Sequence, residues 1–551
     1  MTSKRPQTCG FKRMPAKEDQ LKSLRSLDQK RDVLFHLHFG SILECIQQTI
    51  SCEQKRAKAL HSCVYSVLEN LVPREEEEES AKILFPLKTG DYSDILLPTV
   101  RRLAFKCPFS EVRELMQDYL KRHENDNPAS SQASSFVPSN LLVPVSPKDE
   151  VVRQMFEDIF ASRGRLSHID QVLGWHPLYL EAFTMTTEFL MREEGELSVP
   201  IRNYLAIIAS SLHNCQYLVS LQESEFTFNR GEPSWLEGLD KAPQKIQRLL
   251  KLGKLLAHRP WKLTPEDIGG QMEGSNGWTV AELVQIIAIF ATFFSLTGLV
   301  HGMGLLPEID MENPTRSTLI SKDYKLDDQT RETVQKNREN LLKLLDTKEK
   351  RPQIVEKKKL AAQKASSVDI CCLTNLTDTS SKYPEFTGKD VERYVDFNIK
   401  TEKLHRRQDY DWRSHGYGLM SRYYQGFAPM LNSEFDLIYN LTYQRLTSAG
   451  NVDTGPFRRA VWYYVHRLYG IENDDYDYAS INKYLNKQVK KFIKKCACYP
   501  QDITRSDYEV FGYDFTDDEK CHVTLLVFEA RRQASIVFGL KALGKYLSST
   551  R

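Results

Sequence analysis

Residues 283–300 read LVQIIAIFATFFSLTGLV, a run without a charge and about as long as a short bilayer span. Length alone allows either a transmembrane helix or a helix enclosed by protein. Gln285, Thr292, Ser295, Thr297 and Gly298 dilute its hydrophobicity, and no Lys or Arg cluster brackets it as a topology signal would. The stretch therefore reads as a helix covered on most sides in a globular core. Outward from it, apolar residues recur every three and four positions and rarely every two, which predicts an all-α fold. Helical patterns occupy 434–446, 457–469, 480–494 and 521–547. In the last of these Val523, Leu526, Val527, Ala530, Ala534, Val537 and Leu540 share one broad stripe, whose main duty is packing.

Composition divides the chain. Residues 1–123 read as a helical N-terminal extension of unknown role, with two or three amphipathic helices in 17–71 and an acidic run at 75–79. Residues 124–147 are rich in Ser, Pro and Asn, too polar to bury a core, and are expected to form a flexible linker. A first helical domain follows at 148–308, a charged linker at 309–389 and a second helical domain at 390–551. Of 551 residues, 41% are hydrophobic, enough to fill more than one core.

Seventy-five Lys and Arg against 73 Asp and Glu leave a net charge of +2, so no global field favours nucleic acid or an anionic membrane. The eleven cysteines are scattered, with no C-x-x-C pair and no zinc-ligand spacing. That usage fits a reducing compartment, and the basic N-terminus lacks the apolar stretch of a secretory signal. The expectation is a cytoplasmic protein, with the nucleus also open to it, and without metal or cofactor.

Several strings resemble the sestrin family: HPLYLEAF from His176, YLAIIASSLHNCQYLV from Tyr204, LAHRPW from Leu256, WTVAELV from Trp278, DYDWRSHGYGL from Asp409 and NLTYQ from Asn440. VDTGPFRRAVWYYVHRLYGIENDDYDY from Val452 and EKCHVTLLVFEARRQA from Glu519 continue the match, whereas residues 1–145 show none. The resemblance implies two pseudo-symmetric helical domains similar to the alkylhydroperoxidase AhpD. In that family the first domain carries a peroxide-reducing cysteine. The second binds leucine, and an acidic surface docks on a GATOR complex upstream of the TOR kinase.

Carried over position by position, the resemblance makes Arg458 the carboxylate-binding residue and Glu519 the ammonium-binding one. Chemistry agrees, because a zwitterion leaving water needs both charges satisfied and a planar guanidinium grips two carboxylate oxygens. Thr442 and Thr454 match hydroxyls of a lid over the ligand, and Tyr443 and Phe515 match pocket-lining aromatics. Arg445 stands where the family has a lid Thr, Phe457 where it has Leu, and Gly512 where it has a Trp against the ligand side chain. These departures imply an amino-acid site with weakened or altered side-chain selectivity.

Cys215 matches the reactive cysteine and Tyr217 its relay tyrosine, but Gln222 replaces the relay His and cannot carry a proton at neutral pH. Sustained turnover by one cysteine would need an outside thiol. Asp474 and Asp475 match partner-docking residues, with Tyr476 and Tyr478 expected as interface anchors. Three classes stay open: a ligand-controlled interaction protein, which the residues favour, a thiol-dependent alkyl hydroperoxide reductase using Cys215, and a helical scaffold in which both pockets are degenerate.

Overall fold

A computed structural model describes residues 100–123, 132–274, 276–311, 405–441 and 453–550. The longer helices of the first half are α1 (Ser110–His123), α2 (Glu150–Arg163), α3 (Pro177–Met191), α4 (Val199–Ser211), α5 (Gln216–Phe228), α6 (Leu249–His258), α7 (Pro265–Met272) and α8 (Val280–Gly302). The second half contributes α9 (Phe427–Asn440), α10 (Gly455–Leu468), α11 (Lys487–Cys498) and α12 (Asp517–Ser549). Two short strands, β1 (His405–Arg406) and β2 (Ile471–Glu472), pair in parallel with His405 opposite Ile471. The fold is all-α, as the periodicity predicts.

Side-chain caps decide where these helices start. The Asp149 carboxylate accepts the Val151 and Val152 amides ahead of α2. Thr279 and Glu282 close a reciprocal capping box at α8, and Thr516 and Glu519 close another at α12. The helix expected over 480–494 is divided in two: Ile481–Tyr484 ends at Leu485, and Asn486 takes up the Gln488 and Val489 amides to begin α11. A polar residue that can cap interrupts a pattern that periodicity alone joins.

All of residues 283–300 are buried within α8, so the uncharged run is a core helix. It lies along α12, while α3 packs on α9 and α10 packs on α12, and both halves feed one continuous hydrophobic core. Small residues mark the closest approaches. A Cβ added to Gly298 would stand 2.5 Å from the Cys496 carbonyl oxygen of α11, and one added to Gly539 of α12 would stand 2.7 Å from Ile287 of α8.

The Ser-rich stretch departs from expectation. Residues 124–131 and the linker beyond Met311, 312–404, lie outside the described residues. From 132 onward, however, the stretch is docked: Ser134 pairs with Leu305 and donates to the Met303 carbonyl at 2.6 Å, and Val137 and Leu142 are buried. Polar composition does not leave this segment free, because its backbone and serine hydroxyls find partners just beyond α8. Val100, Leu103, Val112, Met116 and Leu120 likewise enter the core, so the end of the N-terminal extension belongs to it. Residues 1–99 lie outside the description.

Candidate functional site

Arg458 sits in the first turn of α10 and Glu519 in the first turn of α12, two helices that pack on each other. Both are nearly buried, at 8% and 5% exposure. The Arg458 guanidinium donates from Nε to the Tyr439 carbonyl at 2.9 Å and from Nη1 to the Thr454 hydroxyl. Burial lowers its pKa, while Asp453 nearby raises it. Glu519 Oε2 accepts the Thr516 amide at 2.9 Å, a bond that its capping role dictates. Its carboxylate also meets the positive end of the helix dipole. Among the described residues, neither side chain forms an ion pair.

The two charges share surroundings. Phe457, next to Arg458, and Phe515, one turn before Glu519, have ring centroids 6.0 Å apart. His522, one turn beyond Glu519, lies within the field of Arg458. Burial, the neighbouring His176 and Arg458 together press its pKa down to about 3. His176 Nε2 lies 3.1 Å from the Asp518 carbonyl, so the first half of the chain touches the residue before Glu519. Burial lowers its pKa to about 4, and both imidazoles are neutral at pH 7. A site here offers one cation, one anion and neutral, buried rings. The sequence comparison missed His176 and His522; for His522 the signal was its i+3 spacing from Glu519, and for His176 there was none.

Thr442, Tyr443 and Arg445 lie outside the described residues. A cleft of about 190 Å³ is lined by Tyr439, Trp412, Phe435, Trp462 and His466 among others; neither Arg458 nor Glu519 lines it.

Cys215 precedes α5 and has no exposed surface. Burial pushes its thiol up to about 12, opposed by the Leu218 backbone, so at pH 7 it is a protonated core side chain. Tyr217 donates its hydroxyl to Glu308 Oε1 at 2.7 Å, and Glu308 also accepts the His168 amide at 2.8 Å. The Tyr217 proton is therefore held by a buried carboxylate. Gln222 accepts from Asn203 at 3.1 Å, and His213 receives Arg531 at 2.6 Å, which ties each into the packing. Iodoacetamide at pH 7.4 is expected to leave Cys215 unmodified in the folded chain and to label it in urea; peptide mass spectrometry showing rapid native labelling would contradict a buried thiol.

Asp474 and Asp475 are exposed in the turn after β2. The flanking tyrosines, both half-buried, also have partners within the chain. Tyr476 packs on Tyr463 at 4.3 Å, and the Tyr478 hydroxyl accepts the Asn473 amide at 2.9 Å. They brace the turn from within and leave the two carboxylates outermost.

With this geometry in place, comparison with known proteins is decisive. Residues 132–547 match the family described as PA26 p53-induced protein (sestrin). The chain belongs to the sestrin family. Mouse Sestrin-1 is 34% identical over 450 residues, covering 76% of this chain and 92% of its own. Human Sestrin-2 is 32% identical over 485 residues, covering 80% and 99%. A sestrin homolog of Dictyostelium discoideum is 32% identical over 498 residues, covering 82% of each. Membership assigns this sestrin a role as a stress-response regulator.

Proposed function

We propose that this sestrin binds a free α-amino acid between Arg458 and Glu519 and uses binding to control TOR kinase signalling through a GATOR complex in the cytoplasm. One observation supports the reading: two nearly buried opposite charges, in the first turns of the packed helices α10 and α12, have no ion-pair partner among the described residues. Such charges are costly to bury alone, and a zwitterion of matching polarity offsets both. Arg458 takes the carboxylate, Glu519 takes the ammonium, and the neutral His176 and His522 add no competing charge. Asp474 and Asp475 supply the exposed acidic surface for the partner. Ligand then acts by favouring one conformational population over another.

Calorimetric titration with free amino acids tests this. Wild type is expected to bind at least one of them. Arg458→Ala and Glu519→Ala are each expected to lose at least about thirtyfold in affinity, the cost of roughly 2 kcal/mol or more for stripping one member of a buried charged contact. Equal binding by all three proteins would remove the pocket from these residues. Capture of the GATOR complex that is undiminished when both aspartates become lysine would remove the docking surface.

A further inference from the structure

We infer that the 190 Å³ cleft lined by α9, α10 and α12 is a second binding site, for a small uncharged aromatic molecule that carries a hydroxyl or ring N–H group. It is independent of Arg458 and Glu519, neither of which lines it. Helical spacing builds the walls: Phe435 and Tyr439 on α9, Trp462 and His466 on α10, and Gln533 and Val537 on α12 each stand one turn apart on one face. The rings hold one another around the opening. Trp462 meets Phe435 at 6.3 Å and Tyr439 at 5.4 Å, both nearly perpendicular, and Phe435 meets Trp412 at 5.5 Å. A dry cavity of about 150 Å³ is enough to take benzene, so this cleft has room for one ring and a few further atoms.

Two buried polar groups on its lining are unmet. His466 is 6% exposed, and neither of its ring nitrogens has a hydrogen-bond partner among the described residues; the Ala530 backbone acts on the ring without reaching bonding geometry. Burial, with Arg407 nearby, presses its pKa down to about 3, so at pH 7 the neutral ring offers one N–H and one lone pair. The Tyr410 hydroxyl is buried and likewise unbonded, and burial keeps its proton in place. Such groups are costly to leave unpaired, and a ligand hydroxyl or N–H satisfies them. The full charges on the lining are already matched: Arg407 lies 3.6 Å from Asp411, and Arg413 pairs with Asp436. A charged ligand finds no free counter-charge in these pairs, whereas an uncharged ring leaves both intact. Asn473 also lines the cleft and directly precedes Asp474 and Asp475, so an occupant sits beside the acidic turn.

The test is saturation-transfer NMR with calorimetry on the full chain, using phenol, indole, toluene, cyclohexanol and benzoate. Phenol and indole are expected to bind at millimolar concentration. Cyclohexanol, which keeps the hydroxyl but loses the ring electrons, and the charged benzoate are each expected to bind about tenfold more weakly than phenol. His466→Phe keeps a ring and removes its polar atoms; it is expected to lose about fivefold in phenol affinity and none in toluene affinity. Gln533→Trp, at a partly exposed position, places a bulky ring in the cleft and is expected to abolish phenol binding with the circular dichroism unchanged. That variant decides the location even if His466→Phe does not fold. The site is overturned if neither phenol nor indole binds, or if Gln533→Trp binds phenol undiminished. The ligand class is overturned if cyclohexanol or benzoate matches phenol, or if folded His466→Phe binds phenol as wild type does.

Discussion

Replacing Arg532 with leucine is expected to destabilise the folded chain by about 3–5 kcal/mol, the usual cost of removing one partner from a buried charged cluster. Arg532 of α12 donates to Glu434 of α9 at 3.0 Å and to Glu529 at 3.3 Å, and the three side chains have no exposed surface. Tyr179 of α3 donates its hydroxyl to Glu529, so the cluster joins the two halves of the chain. Two carboxyl groups thus face one guanidinium. Burial and the charge of Glu434 hold the Glu529 pKa well above its ordinary 4.5. With Arg532 gone, the remaining carboxylate has no cation. Urea unfolding followed by circular dichroism measures the change; a loss under about 1 kcal/mol would show that the cluster is not held by its arginine.

The pH dependence has a definite sign. A folded-state pKa raised above the unfolded value contributes stability that is complete below about pH 4.5 and is lost as pH rises toward the folded value. The groups facing Glu529 are Glu434 from α9, Tyr179 from α3 and Arg532 on its own helix. Glu529→Gln keeps the shape, cannot ionise and is therefore expected to flatten the decline of melting temperature with rising pH.

Asp310→Asn is expected to cost a similar 3–5 kcal/mol, for the mirror-image reason. Here one carboxylate serves two guanidiniums: Arg165 grips it with two bonds of 2.7 Å, and Arg102 stands at 3.1 Å. Burial opposes ionisation, but the two arginines prevail and hold the Asp310 pKa at about 2, below its ordinary 3.8. Its contribution is therefore present above pH 3.8 and lost as pH falls through 2. The stability gap between wild type and Asp310→Asn should narrow over that window; a gap of constant size would mean that the aspartate charge is not what matters.

Periodicity carried the fold class because helices with long apolar faces announce themselves locally, as α8 and α12 do. Where polar residues decide, it fell short. Asn486 divides a helix because its side chain caps, and Ser134 pins a stretch whose composition reads as free chain. Both outcomes depend on partners that no window of sequence contains. Glu519 was more legible than its distance from Arg458 suggests: T-D-D-E before an apolar run is a capping-box signature that fixes its place at a helix start. The pairing of Glu519 with Arg458 is suggested by the family resemblance and not by spacing in the sequence. His176 was out of reach altogether, since its contact with Asp518 joins residues 342 positions apart in the sequence. For Cys215 the family resemblance suggests reactivity whereas a lone Cys in an apolar helix reads as a core residue, and its burial favours the inert thiol.

The glycines at the centre carry a mechanical consequence. Gly298 and Gly539 bring backbone and side chains of α8, α11 and α12 into contact with no slack between them. Scissoring would require a plane along which the two halves could slip, and the interlocked centre provides none. Any conformational response is therefore expected in turns and helix ends at the periphery, while the spine of the molecule stays still.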